Sequence, residues 1–302
     1  MLRHLLALLL ALAWVAAARS QTAAEQKQTF GYLNKLQSKS GGFLPAQPGG
    51  GPSLRATTTA LRAYRYFGGE VPNKDKVAEY VKGCFDKAGG GFTDRPGEGK
   101  PDVFLTAAGL MAVVELKLPV DDYLGALKYF EKNIKTFDEL RLAVAATESI
   151  QKEMPRSAQL KLLIRDIRAT LEVVREKKSG ARALARMTGS MVVTLLRLGE
   201  KVPDEDAMRQ VILDGQMRDG GYAKENTEKS DLESTYRVER AIVMLKLRPR
   251  QVEAMRSFVA KCRNEDGGYG LQPGAPSSAA ATYFASIVLH WLNSKDSERN
   301  RR

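Results

Sequence analysis

Three stretches of this chain obey one frame of twelve positions. Tyr32-Leu33-x-x-x-Gln37-x-x-x-Gly41-Gly42-Phe43 returns as Val211-Ile212-x-x-x-Gln216-x-x-x-Gly220-Gly221-Tyr222, and as Phe258-Val259-x-x-x-Arg263-x-x-x-Gly267-Gly268-Tyr269. A fourth copy, Tyr80-Val81-x-x-x-Phe85-x-x-x-Gly89-Gly90-Gly91-Phe92, carries one extra glycine. An internal repeat of this kind limits the fold more than any composition figure, because each unit must bury its apolar face against its neighbours. Ahead of each glycine pair an apolar stripe with helical spacing reads as a helix, such as Phe30, Leu33 and Leu36. The glycines end it, and a second helix follows until a proline. Ser53 and Asp102 stand where such second helices need N-caps.

The spacing gives the number of units. Phe43 to Phe92 is 49 residues, Tyr222 to Tyr269 is 47, and Phe92 to Tyr222 is 130. The long gap is close to three intervals, so two further units with eroded glycine turns must lie in it. Their helices read as 123–130 then 140–150, and 160–174 then 184–198. A second mark, a threonine ahead of each closing proline, is expected at Thr59, Thr106, Thr188 and Thr235. The expectation is an all-α chain of six helical hairpins, about twelve helices. Because the first and last units hold good copies of the frame and the middle ones the poorest, the hairpins are expected to close into a ring; an open stack shows atypical units at its ends.

The first twenty residues read differently. Arg3 and His4, an apolar run from Leu5 to Val15 and the small residues Ala16-Ala17-Ala18 have the layout of a secretory signal peptide, too short to span a bilayer. The expected organisation is a signal peptide over 1–20 and one repeat domain over 21–302, secreted or periplasmic. Cys84 and Cys262 are the two cysteines. They occupy the same frame position in units that are not neighbours, and so read as separate buried thiols rather than a disulfide. The formal net charge of +12 is spread along the chain, with no nucleic-acid motif beside it. No nucleic-acid partner is expected.

The frame resembles the repeat shared by squalene–hopene cyclases and the β subunits of protein prenyltransferases. Gly91-Phe92-Thr93-Asp94-Arg95-Pro96-Gly97, with Asp102 and Thr106 beyond it, extends the likeness to the prenyltransferase form. That resemblance implies an α/α toroid, six parallel inner helices ringed by six outer ones around a central apolar cavity. It also implies a zinc site built from Asp, Cys and His, whose positions fall on Asp231, Glu233 and Ala281 here. Two of the three donors are therefore changed. Asp231 and Glu233 read as capping and dipole compensation at a helix start. His290 reads as a core or rim residue rather than a ligand. The cyclase acid motif Asp-x-Asp-Asp is missing from Pro119-Val120-Asp121-Asp122, and the thioester motif of complement-type toroids does not occur.

The expected function is therefore a non-catalytic toroid that binds a lipid, isoprenoid or peptide in its cavity. The alternative is a divergent transferase acting on a prenyl diphosphate, the only case in which zinc would enter. Arg95 and Lys100 beside the Asp102 helix start could hold an anion. The candidate ligand-binding residues are Arg95, Lys100, Asp102, Asp231, Glu233 and Tyr236, with no catalytic residue and no metal ligand assigned.

Overall fold

A computed structural model describes residues 21–176 and 181–299; the expected signal peptide lies outside them. Among the described residues twelve α-helices alternate between an outer and an inner layer. The outer ones are α1 (Ala23–Leu36), α3 (Lys74–Gly83), α5 (Gly125–Asn133), α7 (Ala158–Glu176), α9 (Glu205–Asp214) and α11 (Val252–Lys261). The inner ones are α2 (Leu54–Phe67), α4 (Val103–Leu116), α6 (Phe137–Ser149), α8 (Ala185–Arg197), α10 (Leu232–Met244) and α12 (Ala279–Arg299). Each inner helix packs on the next around the ring, and α12 packs back on α2. The all-α toroid of six hairpins expected from the repeat is the fold. Among the described residues the sheet content is one two-residue pair, Tyr222–Ala223 with Ser230–Asp231, at a glycine corner. Among the described residues no helix is long and apolar enough to cross a membrane.

The glycine frame is the joint between units. Gly41, Gly90, Gly220 and Gly267 have φ of +92°, +77°, +91° and +88°, where an L side chain is strained. Each also presses its bare Cα face on the backbone of the next outer helix. A Cβ would lie 2.2 Å from Lys76 O, 2.7 Å from Gly125 O, 2.1 Å from Ala254 C and 2.4 Å from Gln28 O, respectively. For Gly267 the next outer helix is α1, so the sixth corner sits on the first unit. The sixth frame position repeats this logic. Gln37 donates to Pro72 O (2.7 Å), Gln216 to Gln251 O (3.2 Å), and Arg263 to Glu25 O (3.1 Å) and Gln28 Oε1 (2.7 Å). Thr29 Oγ1 donates to Gly267 O at 2.8 Å, and the Ala279 amide to Pro45 O at 2.9 Å. These bonds close the ring.

A buried threonine locks each kept corner to its inner helix. The amides of Phe43, Phe92, Tyr222 and Tyr269 donate to Oγ1 of Thr57, Thr106, Thr235 and Thr282, at 2.9 to 3.1 Å. The register expected from proline spacing is corrected in the first unit. Thr57, four residues after the Ser53 cap, makes the bond, while Thr59 donates to Ala56 O and faces the cavity. In the third unit the link between α5 and α6 has contracted to residues 134–136, and the threonine's place is taken by Leu140. In the fourth unit Thr188 persists, buried, with its Oγ1 unpartnered.

The far ends of the inner helices repeat in the eroded units too. Gly68, Lys117, Gln151, Gly199 and Lys246 are left-handed, with φ from +56° to +76°. After each, the following amide reaches back five residues, as Gly69 to Tyr64 O and Lys152 to Thr147 O. Cys84 and Cys262 cap α3 and α11 as free, buried thiols whose burial pushes their pKa to about 12.

Candidate functional site

Each inner helix has two apolar or mixed faces: one buries against the outer layer, the other lines a central cavity of about 840 Å³. The second face is itself periodic. On α2 it runs Arg55, Thr59, Arg62, Tyr66, and on α10 Glu233, Tyr236, Arg237, Arg240. On one side Ala107, Ala108, Met111, Leu142, Ala145 and Val193 from α4, α6 and α8 give the wall small and aliphatic surface, beside Phe104, Ser149, Ser190 and the charged Glu115, Arg141, Glu148 and Arg197. On the other, Tyr66, Tyr236, Tyr283 and Phe284 from α2, α10 and α12 form an aromatic group. Tyr236 lies 5.5 Å edge-on from Tyr283, stacks on Phe284 at 5.0 Å and lies parallel to Trp291 at 6.0 Å.

Seven arginines and three glutamates line the same space. At the helix N-terminal mouth two of the three arginines are paired, and the exposed Arg55 lies over the Phe104 ring at 5.6 Å. Arg141 and Arg237 both face Asp138 Oδ1, at 3.1 and 3.7 Å, and Arg237 also pairs with Glu233. Deeper, the match fails. Arg62 has only Glu115, at 3.8 Å, and Glu115 is shared with Arg65 at 3.1 Å. Arg197 Nε stands 2.8 Å from Glu148, a carboxylate half open to solvent, without hydrogen-bond alignment. Arg240 has no carboxylate within ion-pair distance among the described residues. It donates to Tyr236 Oη at 3.0 Å and lies 5.0 Å from the centres of both the Tyr236 and Trp291 rings.

The electrostatic result is visible in two groups. Burial pulls the Arg197 pKa down to about 10, and the positive charges of Arg240 and Arg62 add to that against Glu148. For Tyr236 burial acts upward, but Arg240, Arg62, the hydrogen bond with Tyr283 (Oη–Oη 3.2 Å) and Arg197 together outweigh it and bring the phenol to about 7. Tyr283 moves the opposite way, raised by burial. Arg62 and Arg240 move upward despite burial, held charged by the tyrosines around them and, for Arg62, by Glu115. The deep end of the cavity is thus a cluster of buried guanidiniums in which the phenols, Tyr236 above all, supply part of the missing counter-charge.

The structure separates the residues singled out from sequence. Glu233 and Tyr236 line the cavity. Asp102 and Asp231 do not; they cap α4 and α10, accepting from the amides of Leu105 and Ser234 at 2.7 Å each. Asp231 also accepts the Ser234 hydroxyl at 2.7 Å. Arg95 is exposed on a loop and pairs with Glu98 at 3.6 Å; Lys100 is exposed on the same loop. A zinc site does not fit. Asp231 is consumed by its cap, Glu233 by Arg237, and the third position is Ala281. Among the described residues no group of three or more His, Cys, Asp or Glu side chains could hold a metal ion. His290 packs its ring 5.2 Å from Tyr66, and burial, with Arg65, lowers its pKa.

Sequence reasoning passed over Arg62, Arg197, Arg240 and Tyr283. Their signal was the second stripe on each inner helix, offset from the core stripe and carrying Arg and Tyr at helical spacing.

The family model of the prenyltransferase alpha-alpha toroid domain matches residues 1–68, 67–141 and 175–302. The chain belongs to that family. Among solved structures, Candida albicans protein geranylgeranyltransferase-I complexed with GGPP is similar, with a TM-score of 0.63 over 92% of this chain and 93% of that one. Identity is 12%, so the likeness concerns the fold. A comparison with curated protein sequences found no match.

Proposed function

We propose that this toroid is an exported binding protein that holds a lipid or isoprenoid in its central cavity and performs no chemistry on it. A peptide is the less suited of the ligands expected from sequence, because the aliphatic half of the wall offers few backbone partners. The carrying observation is the cavity itself: about 840 Å³, with a strip of small and aliphatic residues on one side, stacked aromatics on the other, and charged groups gathered towards its two ends. Sites of this size and lining suit apolar ligands oriented by a few polar groups. The solved geranylgeranyltransferase-I, complexed with GGPP, supports an isoprenoid as one such ligand. Against the transferase alternative stands the dispersal of its residues: Asp102 and Asp231 are tied into helix caps, and Arg95 and Lys100 lie outside the cavity lining.

The test is direct. Protein purified from its native source is extracted and analysed by mass spectrometry, and the extracted chain is titrated calorimetrically with geranylgeraniol. Retention of a long-chain ligand and saturable one-to-one binding, with Kd near or below about 1 µM, is the expected result. An empty cavity that no long-chain ligand fills sinks the binding reading. Transfer of a prenyl group from a labelled diphosphate to any acceptor sinks the non-catalytic half.

A further inference from the structure

The polar end of the cavity points to what the ligand must carry. We infer that Arg62, Arg197 and Arg240, with the Tyr236 hydroxyl, form a buried oxyanion site that takes the acidic head of an amphiphile, carboxylate or phosphate, whose tail lies along the α4–α6–α8 wall. This rests on the cavity-binding reading above and deepens it.

Three observations carry the inference. First, charge is unbalanced where imbalance costs most. Four guanidiniums, Arg62, Arg65, Arg197 and Arg240, share two carboxylates, Glu115 and Glu148. Arg65 and Glu148 are open to water, whereas the Arg62 and Arg197 side chains are only 15% and 6% exposed. Buried cations with too few counter-charges are unfavourable, so an arrangement kept this way calls for an anion to complete it. Second, donors are free. The Nε groups of Arg62 and Arg197 are buried and make no aligned hydrogen bond, although Arg197 Nε stands 2.8 Å from Glu148. Arg62 Nη1 donates to the weak acceptor Met111 Sδ at 2.9 Å, and Arg240 gives one bond to a phenol. Guanidinium forks of this kind match planar carboxylates and phosphates. Third, the groups converge. Arg62 lies 4.9 Å from the Tyr283 ring centre and Arg240 5.0 Å from that of Tyr236, while the two hydroxyls meet at 3.2 Å. Helix-dipole compensation would account for Arg65 and Arg197, which stand in last turns. It does not account for Arg62, mid-helix on α2, or for Arg240 ringed by Tyr236 and Trp291.

The experiment uses three probes with one tail: dodecanoate, dodecyl phosphate and dodecanol, each titrated calorimetrically below its micelle concentration into the delipidated full chain. At least one acid is expected to bind ten times or more tighter than the alcohol, and the better acid identifies the head. Arg240→Gln is expected to weaken the preferred acid tenfold or more and dodecanol far less, abolishing the preference, and Arg240→Lys to keep part of it. Equal binding of acids and alcohol, or a preference that survives Arg240→Gln, overturns this inference and leaves the cavity reading intact. No binding by any of the three overturns both. Should Arg240→Gln fail to fold, the acid-to-alcohol ratio of the unaltered chain together with Arg62→Gln still decides.

Discussion

The units that meet at the ring's seam, the fifth, sixth and first, are built differently from the third and fourth on the far side. At the seam every corner has its positive-φ glycine pressed on the next outer helix and its threonine bonded to the turn amide. On the far side one corner has shrunk to three residues and the other keeps a threonine with nothing to hold. The inner faces differ as well. The seam side carries Tyr66, Tyr236, Tyr283 and Arg240; among the described residues the far side lines the cavity with no aromatic ring and mixes Leu142, Ala145 and Val193 with Ser149, Ser190, Arg141, Glu148 and Arg197. Helix packing and surface bonds, such as Arg156 to Leu198 O at 2.9 Å and Arg168 to Glu200 at 2.7 Å, keep the far units in register. The joining devices are retained where the two ends of the chain must find each other and where the charged floor of the cavity is assembled.

That contrast can be broken by substitution. The largest effect is expected from Gly267→Ala, which places a Cβ in a strained conformation and 2.4 Å from Gln28 O across the seam. A loss of about 3 kcal/mol or more in denaturant unfolding is expected. Gly199→Ala on the far side, at φ +69° with nothing within 4 Å, should lose only about 1 kcal/mol. Similar losses for the two would mean that the seam contact contributes little. Next come the threonines. Thr282→Val leaves the buried Tyr269 amide without its acceptor and should destabilise by about 1–3 kcal/mol. Thr188→Val removes a hydroxyl that already lacks a partner and should be near neutral or stabilising. Equal effects would undo the distinction between kept and eroded corners.

The subtlest difference is electrostatic. The folded-state pKa of Tyr236, about 7, lies below the ordinary tyrosine value of 10.0. A depressed acid contributes stability that is present above 10 and lost as pH falls through 7, so this group should make the protein more stable as pH rises from 7 towards 10. The groups that set this face it from four helices: Arg62 on α2, Arg197 on α8, Arg240 on its own helix, and Tyr283 on α12. Absorbance at 295 nm should show one phenolate forming near neutrality, lost in Tyr236→Phe. The far wall contributes no tyrosine to the cavity. A titration with no phenolate below pH 9 would show that the arginine field is weaker than its geometry indicates.

Much of the fold could be read from residues because its joints demand special chemistry. A glycine that must hold positive φ and also touch backbone has no substitute, so Gly41, Gly90, Gly220 and Gly267 stand out in the letters. The third and fourth units were recoverable only by counting, since helix packing accepts many apolar residues and leaves no single mark. The site was harder. Arg62, Arg197 and Arg240 come from three helices far apart in the chain, and each alone resembles an ordinary solvated charge. Tyr236 was singled out, but the residues that alter its acidity were not. Arg95 and Lys100 drew attention through a motif, and the fold puts them on an outer loop. Only ring closure brings the inner stripes to face one another.

Closure also sets how such a protein can change. An open stack of hairpins may lengthen by duplication or shed a module at either tip, and its neighbours barely notice. Here the turn made by each hairpin is a fixed share of one full circle, and Gly267 must meet Gln28 when the sum is complete. Inserting or deleting a hairpin would miss that appointment, so variation is channelled into single residues on the inward stripes, where a new cargo can be acquired without disturbing the geometry of the circle.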